Sequence, residues 1–142
     1  MDKYFFEDGI HFKCQRCLQC CDVDNAIVYL SLADQINISI FFKLSLNQTR
    51  NKFFKKEFNK WVIDDKHPSK CRFLKDKGCV IYPARPTQCR LYPFWEELLK
   101  NKKKFYKEKC PGIGKGNKIS GETIKKYFVD HKNFIYQLKK EC

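Results

Sequence analysis

Four cysteines fall within eight residues, Cys14-Gln15-Arg16-Cys17-Leu18-Gln19-Cys20-Cys21. A Cys-x2-Cys-x2-Cys-Cys run crowds several thiols together, which suits either disulfide bonding or metal ligation. Disulfides between such near neighbours close tiny loops and constrain little of the unfolded chain. Thiolates converging on one cation need this crowding, so metal ligation is the favoured chemistry. Cys21 follows Cys20 directly, and adjacent side chains diverge, so Cys21 is expected to serve a second ion or to bridge two.

The spacing of Cys14, Cys17 and Cys20 serves two kinds of centre. It can hold three irons of a [4Fe–4S] cluster, completed by a distant Cys-Pro pair such as Cys110-Pro111. It can equally place sulfurs about 2.3 Å from a zinc ion. Cys71, Cys79 and Cys89 are spaced too widely to mean much by themselves. They read as metal ligands or as buried free thiols behaving like small hydrophobes.

These residues must be positioned by the elements around them. Residues 26–30 suit one short strand. Ser31 followed by Asp34 looks like a helix start, with the helix running to about Phe42. Ser45 and Gln48 form a capping-box pattern, and Leu46, Phe53, Phe54 and Phe58 continue at helical spacing, predicting a helix over 46–60. Asp76-Lys77-Gly78 predicts a turn joining 71–74 to 79–82 in a small hairpin. Pro83 and Pro86 stiffen the chain between Cys79 and Cys89. Pro93 is placed to start a helix to about Tyr106. Residues 110–116 read as a glycine-rich turn that lets backbone approach a cluster, since they lack Walker spacing. Ser120 caps a final helix over about 121–139, with Ile124, Tyr127, Phe128, His131, Phe134, Ile135 and Leu138 on one stripe. His131 on that stripe reads as a core residue. His11 is a minor candidate ligand.

The chain has 142 residues, 43% hydrophobic and 32% charged, which describes a folded protein rather than a disordered one. Its acidic start, Met1-Asp2-Lys3-Tyr4-Phe5-Phe6-Glu7-Asp8, does not read as a signal peptide, and the apolar stretch over 36–46 is interrupted by polar residues. The expected location is therefore cytoplasmic and reducing. Nine cysteines less the terminal Cys142 leave eight, enough for two four-thiolate sites. The net charge of +13 could indicate nucleic-acid binding. The lysines are dispersed, however, and two divalent ions on eight thiolates would reduce the charge to about +9.

The motifs in order are Cys-x2-Cys-x2-Cys-Cys, Cys71-Arg72-Phe73-Leu74, Gly78-Cys79-Val80-Ile81-Tyr82, Arg85-Pro86-Thr87-Gln88-Cys89-Arg90 and Cys110-Pro111-Gly112. Together, over about residues 12–116, they resemble the YkgJ-type cysteine-cluster family, a zinc- or iron-chelating group that includes the flagellin lysine N-methylases. The resemblance implies Cys14, Cys17, Cys20, Cys21, Cys71, Cys79, Cys89 and Cys110 as ligands. Arg85 and Arg90 flank Cys89 and could donate to thiolates or take part in surface ion pairs. The expected fold is α+β, a helix-rich single domain over 1–142 with a short hairpin and irregular loops stapled by metal–cysteine bonds.

The expected function is chelation of zinc and/or iron, with [4Fe–4S] among the options, in metal handling or as an accessory module with a protein or peptide partner. The alternatives are an iron or iron–sulfur enzyme of the N-methylase type and a zinc-stabilised nucleic-acid binder. Of the partners, nucleic acid and membrane are not expected. No Ser-His-Asp set or carboxylate pair stands out as catalytic.

Overall fold

A computed structural model describes residues 4–14, 27–65, 71–75, 78–108 and 110–141. The fold is α+β, and the described residues form several short helices, one long C-terminal helix and three two-stranded antiparallel sheets.

The first sheet pairs β1 (Ile10–Phe12) with β6 (Ile113–Ile119), joining the two ends of the motif-bearing stretch. Ile10 faces Ile119 and Phe12 faces Ile113, with an irregularity after His11. The predicted glycine-rich turn is thus only residues 110–112, and the chain then enters a strand. Gly114 and Gly116 take φ of +90° and +72°, which side-chain-bearing residues rarely adopt. The polar sequence of this strand has no alternation to reveal it, and its pairing comes from a segment a hundred residues away.

Helix α1 (Leu32–Phe42) begins at Ser31 through a reciprocal capping box with Asp34. It closes at Lys43, which is left-handed (φ +56°). Helix α2 (Leu46–Phe53) is capped by Ser45 and Gln48 in the same way. It stops at Phe53, not residue 60. The chain turns extended in β2 (Phe54–Glu57), reverses at Phe58-Asn59 and returns as β3 (Lys60–Ile63). Both turn residues have positive φ, as a tight hairpin demands. Burying Phe54 opposite Ile63 outweighs the helical spacing of the phenylalanines. The expected strand over 26–30 is reduced to a single bridge between Tyr29 and Val62.

The small hairpin forms as β4 (Leu74–Lys75) and β5 (Gly78–Cys79), with the Asp76-Lys77 turn outside the described residues. A 3₁₀ turn at Tyr82–Ala84 follows. Pro86 then precedes α3 (Thr87–Leu91), a one-turn element the sequence reading missed. The single helix expected from Pro93 is split into α4 (Glu96–Leu99) and α5 (Lys102–Lys107), because Asn101 caps the second by accepting from the Lys104 N–H. Helix α6 (Gly121–Lys140) is capped by Ser120 and buries Ile124, Phe128, His131, Phe134 and Leu138. That is the predicted stripe.

Two apolar clusters result. The first joins the N-terminal arm to α4, α5 and α6 through Phe6, Ile10, Phe94, Leu99, Phe105 and Ile124. The second gathers Leu30, Ile38, Phe53, Ile63, Phe73 and Ile81 beneath α1, α2 and the β2–β3 hairpin.

Candidate metal centre

The second apolar cluster carries three of the cysteines. Cys71, Cys79 and Cys89 all pack against the second cluster. Phe73 is 4% exposed inside it and stands 5.3 Å from the Phe53 ring, so the residue two after Cys71 anchors that segment. Arg72 fixes it from the other side. Its guanidinium donates to the carbonyls of Lys52 and Asp64, and its N–H donates to the Asp65 carboxylate at 2.7 Å. Across the hairpin Leu74 pairs with Cys79, and Val80 N–H donates to Phe73 at 2.9 Å.

Burial pushes the Cys71 thiol up to about 11, and the nearby Asp65 and Cys79 add to that shift. The Phe73 and Leu74 N–H groups oppose it by hydrogen bonding toward the sulfur. A thiolate here therefore lacks the positive charge that a metal would supply. Burial also raises the Asp65 carboxyl, against hydrogen bonding and charge from Arg72.

Cys89 is carried by α3, which α1 holds in place. The Asp34 carboxylate is 3% exposed and accepts from both the N–H and the hydroxyl of Thr87, at 3.1 and 2.7 Å. The same side chain completes the Ser31 cap. Gln88 ties α3 to the chain before α1, donating to Ile27 O and accepting from Tyr29 N–H. Asp34, Thr87 and Gln88 are thus the positioning residues that sequence reasoning missed. Asp34 read only as a cap, and contacts 53 residues apart leave no local signal.

Cys14 and Cys110 instead lie just outside the strands of the β1–β6 sheet, whose Ile10 is part of the first cluster. Lys13 N–H donates to Gly112 O at 3.1 Å, so the segment entering the cysteine run lies against the turn that follows Cys110. A Cβ on Gly112 would meet Lys13 O at 2.4 Å, which only glycine allows. Cys14 is exposed and Cys110 half-buried. Helix α3 links the clusters along the chain, because Cys89 packs on the second cluster while Tyr92 and Phe94, just after the helix, pack in the first.

Arg85 and Arg90 are engaged by groups of their own segment. Arg85 lies 3.8 Å over the Tyr82 ring and donates to Tyr82 O, while Arg90 donates to Thr87. His11 hydrogen bonds through Nδ1 to Gly116 O. Cys17, Cys20, Cys21, His67 and Cys142 lie outside the described residues.

A family model described as "Putative zinc- or iron-chelating domain", with the signature CxxCxxCC, matches residues 13–111. The chain belongs to this family. Among curated proteins it is similar to an uncharacterized protein of Methanocaldococcus jannaschii, 31% identical over 90 residues. That alignment covers 61% of this chain and 47% of the relative, so the chain spans about half of the relative's length. No solved structure matches.

The donor chemistry fits such ions, because zinc and iron both take thiolate sulfur. Among the described residues, no three His, Cys, Asp or Glu side chains form a group able to hold an ion. The family signature places three further cysteines in the run outside those residues. No described helix is long and apolar enough to cross a membrane.

Proposed function

We propose that this chain is one chelating domain over residues 1–142 that binds zinc or iron through Cys14, Cys17, Cys20, Cys21, Cys71, Cys79, Cys89 and Cys110. The observation that carries the reading is the double anchoring of the cysteine-bearing segments. The Lys13–Gly112 contact holds the entry to the N-terminal run beside the Cys110 turn. The β4–β5 hairpin and α3 hold Cys71, Cys79 and Cys89 on one apolar cluster. Such anchoring lowers the entropy lost when thiolates separated widely in sequence close on an ion.

Zinc in closed four-thiolate sites and a [4Fe–4S] cluster with additional thiols are the two forms this donor set accommodates. A reducing cytoplasm is the compartment that keeps such thiols free for metal. The role would be metal handling, or service as an accessory module to a protein or peptide partner.

The test is elemental analysis of anaerobically purified protein for zinc, iron and sulfide. Brown protein with iron and sulfide identifies a cluster, and colourless protein with stoichiometric zinc identifies a thiolate site. Protein that retains none of these, and takes up neither metal on anaerobic reconstitution, contradicts the proposal.

A further inference from the structure

The seam between α3, α4 and α6 forms a half-open cavity of about 480 Å³, with no cysteine among its lining residues. This lies within the usual range for small-molecule sites, about 300–1,000 Å³. Trp95, Tyr29 and Ile135 give it apolar walls, and His131, Glu96, Glu97 and Lys100 give it polar groups. His131 and Ile135 lie beyond the residues that the family model matches.

His131 is the informative member. It is 7% exposed, and its Nδ1 accepts the Glu96 backbone N–H at 3.0 Å. A backbone N–H can only donate, so the ring is neutral and its proton sits on Nε2. Burial works the same way, holding the imidazole below its ordinary value against the nearby Glu96 and Glu97 carboxylates. Nε2 has no hydrogen-bond partner among the described residues. No fully buried side-chain nitrogen or oxygen there lacks a partner, so Nε2 must reach open space. His131 also lines this pocket, so the pocket is the space we assign to Nε2.

The walls around this donor are fixed. Trp95 lies nearly parallel to His131, with 16° between the rings and 5.9 Å between centroids. Its indole N–H donates to Gln88 O at 2.8 Å, which locks its orientation. Lys100 pairs with Glu96 at 2.8 Å and neutralises it. Glu97 is exposed and forms no ion pair or hydrogen bond with the described residues, so it keeps an acceptor at the rim.

We infer that this cavity binds a small, uncharged, planar heteroaromatic amide, a ring of the size of uracil, hypoxanthine or nicotinamide. The ligand's carbonyl accepts from His131 Nε2–H, its N–H donates to the Glu97 carboxylate, and its ring lies against the Trp95 wall. Other classes fit less well. A carboxylate would face the unpaired Glu97, an ammonium would meet an N–H donor, and a purely apolar ring would leave Nε2–H dehydrated without a partner.

The test is calorimetric titration of the full-length protein, as purified, with hypoxanthine, uracil and nicotinamide, and with benzoate as the anionic comparison. The expected result is one site for at least one amide at roughly millimolar affinity or tighter, with benzoate weaker. His131→Phe removes the donor and should weaken binding by about tenfold or more, the loss expected for one buried hydrogen bond. Glu97→Gln alters an exposed side chain, leaves the fold intact and should weaken binding severalfold. Failure of all three amides to bind, benzoate binding as tightly as the best amide, or unchanged amide binding in either variant would overturn the inference.

Discussion

Lys13 and Gly112 are joined by a 3.1 Å backbone hydrogen bond across almost a hundred residues of sequence. One end lies next to Cys14, where the cysteine run begins, and the other lies two residues after Cys110. The contact turns two motifs distant in sequence into one structural unit. It depends on the missing Cβ of Gly112, where a methyl group would stand 3.0 Å from the Phe12 ring and closer still to Lys13 O.

Gly112→Ala should therefore separate these strands. The expected cost is about 1–3 kcal/mol, typical of forced overpacking. Metal affinity should fall with it, and thermal unfolding combined with competition against a chelator reads both. Unchanged melting and affinity would remove the β1–β6 contact from the positioning of Cys14 and Cys110.

Asp34 links the start of α1 to α3. Asp34→Ala removes the carboxylate half of the reciprocal cap, which accepts from Ser31 N–H, and leaves the Thr87 N–H and hydroxyl without their acceptor, at an expected cost of about 1–3 kcal/mol. Asp34→Asn keeps one acceptor and should lose less. If α3 depends on this tie, hydrogen exchange over residues 87–91 will accelerate in the alanine variant and less so in the asparagine variant.

Metal removal should loosen the cysteine-bearing middle of the chain first. The described residues of 71–91 form two-residue strands, a 3₁₀ turn and one helical turn, so few backbone hydrogen bonds hold them. Structural zinc can contribute on the order of 10 kcal/mol of apparent binding free energy. Chelation should lower the melting temperature and strip exchange protection from 71–91, while α6 keeps its protection through its buried stripe. Equal protection in this segment with and without metal would show that the metal is not structural.

Acid should act partly through His131. Burial lowers its affinity for protons in the folded state below the ordinary 6.5, although Glu96 and Glu97 pull the other way. The unfolded chain takes up that proton first, so stability is full above about pH 6.5 and declines as pH falls through the lowered folded value. His131→Gln should flatten this part of the pH profile of melting temperature. Acid release of metal affects both proteins alike and cancels in the difference. Parallel decline of both proteins between neutral and mildly acidic pH would rule the contribution out.

The legible parts of this fold were those whose cause is local. Ser31, Ser45 and Ser120 announced their helices because capping is written within four residues. The α6 stripe was visible because its period repeats over twenty residues. Phe53 and Phe54 misled, because their helical spacing persists through Phe58 while the pairing that bends the chain comes from Val62 and Ile63. Strand β6 was hidden by its lysines and glycines, and α3 by being a single turn. Cysteine spacing pointed to the family, but the residues that anchor the cysteine-bearing segments, Asp34, Thr87, Arg72 and Gly112, act across distances that no local pattern records.

X-ray absorption at the edge of the bound metal tests thiolate ligation most directly, in the wild type and in Cys71→Ser, Cys79→Ser, Cys89→Ser, Cys110→Ser and Cys142→Ser. The expected wild-type result is an all-sulfur ligand shell, at about 2.3 Å if the metal is zinc. Each of the first four variants should lose sulfur from that shell or lose metal, and Cys142→Ser should match the wild type. A shell dominated by oxygen or nitrogen, or one unchanged in all four variants, would contradict chelation by cysteines gathered from both ends of the motif.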